Sequence, residues 1–362
     1  MVQMPANAQE FLVDNNFQEY DCSQLGISPE LNDIKKIQET RGEYEDLKNK
    51  TAELMNSSKY NKNIYLRIPY SDIKKEKYTV QSITKVDDKI LISAYKSKNY
   101  SRLYIYDIET ASLEGIIILD NKAHVGGISF DHDKDILYIT GSNGEVNSYD
   151  YSVIRAINKT DNYVIDLSDS VEKKEEEKLE IKINNNINIR NIDKSVNAST
   201  IYYYDNRLYV ATFNPTGKGY LYSYKVDYNS ENKTVSIIDE HTKKYIVGAR
   251  IQGIALTKYN NKDYLICSQS IGITYSSFLV YEMTDEELIF VGRTYIDDYG
   301  LEGITIDENN NLVGIFEHND RPILVKSVEE LLSEVSDSIL DIWPGNELGS
   351  YVGGLVYKLT NK

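Results

Sequence analysis

One four-residue pattern, an apolar residue, a variable one, a small one and an isoleucine, occurs five times along the chain: Val80-Gln81-Ser82-Ile83, Val125-Gly126-Gly127-Ile128, Ala198-Ser199-Thr200-Ile201, Ile251-Gln252-Gly253-Ile254 and Leu301-Glu302-Gly303-Ile304. Self-similarity of this kind restricts the fold to architectures that repeat one supersecondary unit. Each motif is followed by a polar turn and a second apolar run: Ile90 to Ser93, Leu137 to Thr140, Leu208 to Ala211, Leu265 to Ser268 and Leu312 to Ile315. A third run follows at Leu103 to Tyr106, Val146 to Tyr149, Leu221 to Tyr224, Phe278 to Tyr281 and Ile323 to Val325. Short β-rich runs bounded by Asn, Asp and Gly read as strands.

Fourth strands fit at Ile116 to Leu119, Val235 to Ile238 and Leu288 to Val291; the second repeat offers either Val164 to Leu167 or Ile181 to Ile183. Four antiparallel strands repeated in this way predict an all-β, five-bladed β-propeller, with a six-bladed ring as the alternative. The small third position of the motif fits strands that crowd together near an axis. The last repeat lacks an adjacent fourth strand, because Ser327 to Leu340 reads as a short amphipathic C-terminal helix with Ser327 as its N-cap. Either Ile64 to Ile68 or Gly354 to Leu359 would supply that strand, and the former would close the ring by joining its two ends.

Residues 1–62 form a separate N-terminal helical segment expected to pack on the propeller of residues 63–362. Its helix starts at Ser28-Pro29-Glu30 and places Ile37, Thr40, Tyr44, Leu47, Thr51 and Leu54 on one face. The interval between the second and third motifs is long, and its excess, with the charged run Glu172 to Glu180, reads as a solvated insertion.

A net charge of -16 argues against a nucleic-acid partner, since phosphate binding is driven by Lys and Arg. No apolar run reaches the length of a membrane span. Cys22 and Cys267 support neither a disulfide framework nor a cysteine metal site. The small-x-small form of Pro5-Ala6-Asn7-Ala8 points to export, to the cell surface or beyond it, and the chain is expected to be a monomer.

The pieces Ala123-His124-Val125-Gly126-Gly127, Gly217-Lys218-Gly219, Ile251-Gln252-Gly253-Ile254, Ser268-Gln269-Ser270 to Ser276-Ser277, and Leu301-Glu302-Gly303-Ile304 with Phe316-Glu317 resemble exported bacterial proteins of the lactonase and gluconolactonase-like propeller superfamily. The resemblance covers about Lys85 to Lys326 and is a match of fold. It implies a divalent metal on the axis, Ca2+ in most of these enzymes, and Glu302 matches the glutamate that holds it.

Propellers bind at the channel mouth where first strands begin, which brings Gln81, Ser199, Gln252 and Glu302 into one ring with His124 and Arg250 beside it. Glu317 and His318, in the dense run Glu317-His318-Asn319-Asp320-Arg321, extend the same candidate site. Asp131-His132-Asp133-Lys134-Asp135 has the acids of a calcium loop but reads as a hairpin turn, because Ile136 stands where the loop needs glycine. Neither a Gly-x-Ser-x-Gly elbow nor a phosphate-cradling glycine loop is present. The expected function is therefore a binding or interaction module that recognises a small polar ligand or a protein partner at the mouth. The alternative is metal-assisted hydrolysis of a small ester or lactone, using Glu302 with His124 or Glu317.

Overall fold

A computed structural model describes residues 64–66, 73, 75–156, 163–168, 187–188, 198–214, 219–231, 234–271, 274–317 and 323–337. After strand β1 (Ile64–Leu66), the first blade runs through β2 (Thr79–Val86), β3 (Lys89–Tyr95), β4 (Arg102–Asp107) and β5 (Ser112–Ile118). The second comprises β6 (Ile128–Asp131), β7 (Ile136–Thr140) and β8 (Glu145–Asp150), after which come helix α1 (Tyr151–Ala156), β9 (Tyr163–Asp166) and β10 (Ile187–Asn188). The third blade is β11 (Ala198–Tyr204), β12 (Arg207–Thr212), β13 (Gly219–Asn229) and β14 (Thr234–Val247). The fourth is β15 (Ile251–Tyr259), β16 (Lys262–Ile271), β17 (Thr274–Met283) and β18 (Leu288–Tyr299). Then β19 (Leu301–Ile306), β20 (Asn311–Phe316) and β21 (Ile323–Ser327) lead into helix α2 (Val328–Asp337).

Apart from the added strands β1, β9 and β10, pairing is sequential and antiparallel within each blade, and the five sheets form a five-bladed β-propeller. The last blade takes β1 as its outer strand, with Ile64, Tyr65 and Leu66 opposite Val325, Leu324 and Ile323. Ring closure therefore comes from the first of the two segments that the sequence offers, through Ile64–Leu66, and Gly354 to Leu359 lies outside the described residues. The N-terminal helix and the acidic insertion also lie outside them.

In the second repeat the structure corrects one of the two expected fourth strands, and the other, Ile181 to Ile183, lies outside the described residues. Val164 to Leu167 does not join that blade: β9 lies parallel to β5 as a fifth strand of the first blade, with Gly115 opposite Tyr163. A side chain at Gly115 would overlap the Tyr163 ring, so the glycine opens the space that this pairing needs. The second blade instead ends on β10, whose Ile187 faces Val146.

Apolar burial lies between blades. The five motif isoleucines, Ile83, Ile128, Ile201, Ile254 and Ile304, are all at most 2% exposed. Ile83 and Ile92 pack with Val313 and Val325 of the last blade, Leu91 with Ile128 of the next, and Ile136 and Tyr138 with Ile201 and Leu208. Helix α2 adds Val328, Leu331 and Val335 to the cluster of the fourth and fifth blades, and Ser327 Oγ accepts from Glu330 N as its cap.

Polar contacts tie every blade to the next at the end where first strands turn into second strands. Arg155 bonds Asp87 and, at 2.8 Å, Asp135; Lys134 donates to Tyr203 at 2.8 Å; Tyr204 donates to Asp263 at 2.7 Å; Thr257 donates to Asn310 at 2.5 Å; Glu308 pairs with Lys85. The turn residues thus form a closed circuit of five inter-blade links. The Asp131 carboxylate accepts Asp133 N at 3.0 Å and Lys134 N at 3.2 Å, so Asp131 to Asp135 is the hairpin turn expected for it.

Third-strand tyrosines reach back to the preceding blade. Tyr149 donates to Asp120 at 3.2 Å, and Tyr281 accepts from Gly248 N at 3.0 Å. Tyr281→Phe leaves the Gly248 N–H without that partner and is expected to lower stability by about 1 kcal/mol, read as a shifted urea midpoint at constant slope. An unchanged midpoint would show that water replaces the hydroxyl at no cost.

Candidate functional site

The first strands β2, β6, β11, β15 and β19 touch one another in a closed ring, each against the next and β19 against β2. At the end where they begin, the variable residue of the motif is a β-bulge. Val80 pairs with Ala94 and Ser82 with Ser93, leaving Gln81 extra; Ser199 and Gln252 are extra in the same way, and the ladder of β19 shifts across Glu302 and Gly303. A bulge breaks the alternation of faces and re-aims a side chain. The repeat thereby places a polar residue at the same position in four of the five blades, the second having Gly126 there.

Hydroxyls of the second strands hold these bulges. Ser93 Oγ donates to Val125 O at 2.8 Å and Ser268 Oγ to Glu302 O at 2.6 Å, each crossing to the next blade. In the second blade Thr140 Oγ1 accepts from Gly127 N at 2.9 Å. Close approach explains the small third position. A Cβ on Gly127 would stand 2.8 Å from Thr200 Cα, one on Gly253 2.7 Å from both Glu302 O and Ile304 N, and one on Gly303 2.5 Å from Ser82 Cα.

The segments before three of the inner strands, β6, β15 and β19, are kinked. Arg250 has a φ of 59° and Gly300, at the equivalent place, 77°. Val125 has a φ of 49°, which is costly for a β-branched residue. Arg250 N donates to Asn214 O at 2.8 Å and its carbonyl accepts from Ser270 N at 3.3 Å, so its backbone is fixed on both sides. Gln269 braces the same turn, its Nε2 donating to Ala249 O at 2.6 Å while its Oε1 accepts from Ser277 at 3.1 Å.

Gln252 Nε2 donates to Glu302 Oε1 at 3.3 Å, joining neighbouring blades at the mouth. Glu302 is buried, and desolvation, helped by the negative charge of Glu317, raises its carboxyl well above the usual range. Glu317 itself is exposed at the end of β20, its N–H bonded to Gly300 O at 2.7 Å. Gln81 is buried with Nε2 donating to Val80 O at 2.8 Å, and Ser199 is half-buried. His124 is open to solvent yet its ring lies 4.2 Å from that of Tyr95, and desolvation lowers its imidazole below the usual value. His318 lies outside the described residues.

The structure thus brings Gln252, Glu302 and Glu317 together and places Arg250 two residues before Gln252. Among the described residues, no three His, Cys, Asp or Glu side chains gather as a metal site. Cys267 is a free, buried thiol that burial pushes up in pKa. Sequence reasoning missed Ser93, Ser268 and Gln269. The signal was present, because several second strands end on a hydroxyl residue, but its role depends on which carbonyl the next blade offers.

No protein-family profile matches the chain, and no curated protein matches it. Among solved structures, the chain is similar to a chain of a mitotic checkpoint complex at 10% identity, over 70% of this chain and 76% of that one, with a TM-score of 0.38. It is similar to the Dos1 propeller at 10% identity, over 69% of this chain and 59% of that one, with a TM-score of 0.34. A third similarity is to the Cps50 (Swd1) β-propeller domain of Myceliophteria thermophila, at 10% identity over 66% of this chain and 62% of that one, with a TM-score of 0.33.

Proposed function

We propose that this propeller is an interaction module that grips a loop of a partner protein at the mouth of its ring. The observation that supports this reading is the repeated bulge, which sets Gln81, Ser199, Gln252 and Glu302 at equivalent places around one axis. Fixed amide, carboxyl and guanidinium groups on a rigid ring orient a ligand at little entropic cost. Arg250, buried at the start of β15 where its backbone is kinked, would offer a planar guanidinium to a partner that reaches into the mouth. Surface display after export, expected from Pro5-Ala6-Asn7-Ala8, would suit such a role.

Full-length protein immobilised beside its Arg250→Met variant provides the test. A specific partner is expected to be enriched on the wild type and reduced at least about tenfold on the variant, which keeps the bulk and loses the donors. Equal enrichment, with both proteins folded by circular dichroism, would remove the mouth from consideration.

A further inference from the structure

The mouth end of the first blade is basic and aromatic although the chain carries a net charge of -16. Residues 75–78, the turn 96–101 and the connection 119–124 meet there, since β2 and β6 begin and β3 and β5 end at this side. Tyr78 organises them. Arg102 lies over its ring at 4.6 Å and Lys96 at 5.5 Å, while its hydroxyl donates to Tyr100 O at 3.0 Å. Lys122 covers Tyr100 at 4.8 Å, and Ser101 N donates to Asn121 O at 2.9 Å, locking the turn to the connection.

The acids of this region are already engaged. Glu76 takes Arg102 and the Tyr104 hydroxyl, and Asp120 accepts from Tyr149 and Asn121. Lys96 donates to the backbone carbonyl of Glu76 at 2.9 Å. Lys77, Lys98 and Lys122 are exposed, and among the described residues none of them pairs with a carboxylate. Tyr95, whose ring lies 4.2 Å from that of His124, and Tyr100 are half-buried at the same end of the blade.

Building on the mouth-binding reading above, we infer that the partner's segment is acidic, its carboxylates meeting Lys77, Lys98 and Lys122 and an apolar residue packing on Tyr95 or Tyr100. Charge complementarity selects this class. Three lysines without carboxylates offer about three phosphate contacts, against the six to ten of a firm nucleic-acid complex. They also fall below the roughly four to eight basic residues that hold a protein to an anionic bilayer. The net negative field of the whole chain repels long polyanions, whereas screening over about 8 Å lets a short acidic segment feel the local patch.

Fluorescence anisotropy of dye-labelled hexaglutamate with the full chain tests the assignment. Lys98→Glu combined with Lys122→Glu is expected to weaken binding at least about tenfold. Lys225→Glu combined with Lys258→Glu, at the opposite end of the third and fourth blades, is expected to leave it unchanged. Absence of hexaglutamate binding at about 50 mM salt, where the Debye length exceeds 10 Å, overturns the acidic assignment. Equal losses in both double variants do the same, as does tighter binding of oligo-dT or phosphatidylserine vesicles through Lys98 and Lys122. Each of these leaves the mouth reading standing if Arg250→Met still loses its captured partner. A partner captured equally by Arg250→Met, with hexaglutamate still bound, sinks the mouth reading instead.

Discussion

Gly253→Leu is expected to destabilise the propeller by about 3 kcal/mol or more, at or beyond the upper end of ordinary overpacking. The reason is the nature of the neighbours. A Cβ there would stand 2.7 Å from the Glu302 carbonyl and the Ile304 amide, atoms of the next inner strand, and 2.8 Å from Ser268 Oγ. A flexible side chain could swing away; two backbone atoms in a closed ring move only if β19 moves with them. Ser268 Oγ, which holds Glu302 O at 2.6 Å, would be displaced by the same intrusion, so the mouth should be disturbed together with the core. Even Gly253→Ala is expected to cost on the order of 1 kcal/mol, since the clash begins at the first carbon. Urea unfolding monitored by far-ultraviolet circular dichroism measures both. A midpoint unaltered in Gly253→Leu would mean that neighbouring blades separate easily, contrary to the closed circuit of links at their opposite ends.

That circuit marks the boundary of what a linear reading recovers. The motif isoleucines were legible because all five serve one purpose, burial between blades, and a shared purpose leaves a shared residue. Gly127, Gly253 and Gly303 were legible for the same reason, as each meets the backbone of the following blade. The inter-blade links were not. Arg155, Lys134, Tyr204, Thr257 and Lys85 make equivalent connections with unlike chemistry, so no pattern repeats in the sequence. Tyrosine, at 31 residues, was too abundant for Tyr149 and Tyr281 to stand out, although both cross to the preceding blade.

The ring of first strands was legible in the spacing of the motif, and its local geometry was not. Ring geometry alone put Gln252 and Glu302 on one end of the axis, and they meet at 3.3 Å. What spacing could not show was the bulge, because an extra residue is defined by the partner strand's register. Nor could it show that β9 would leave the second blade for the first, a choice made by the space at Gly115 opposite Tyr163. The basic face of the first blade went unread because Lys77, Lys98 and Lys122 lie in three separate connections.

Glu302→Gln is expected to stabilise the protein at neutral pH and to do nothing in acid. Burial and the charge of Glu317 raise the Glu302 carboxyl well above its unfolded value, so across the interval between the two the folded state keeps a proton that the unfolded state has lost. Stability associated with this group is complete below the unfolded glutamate range near ~4.3, and it falls as pH climbs towards the folded value. Glutamine preserves the shape and the bond from Gln252, and it does not titrate. The difference in unfolding free energy between Glu302→Gln and wild type should therefore be near zero at about pH 4 and widen in the variant's favour by about 1.4 kcal/mol per pH unit within the interval. Glu317→Gln should act in the same direction and more weakly, because it removes the second cause of the shift and leaves the first, burial, in place. Urea titrations of the three proteins between about pH 4 and 8 measure these differences, and comparison at each pH cancels the titration of every other group. A gap that does not change with pH would mean that Glu302 is ionised in the folded protein and held by a cation. In that event the mouth would offer an acceptor in place of a donor, and its partner would have to bring positive charge to it.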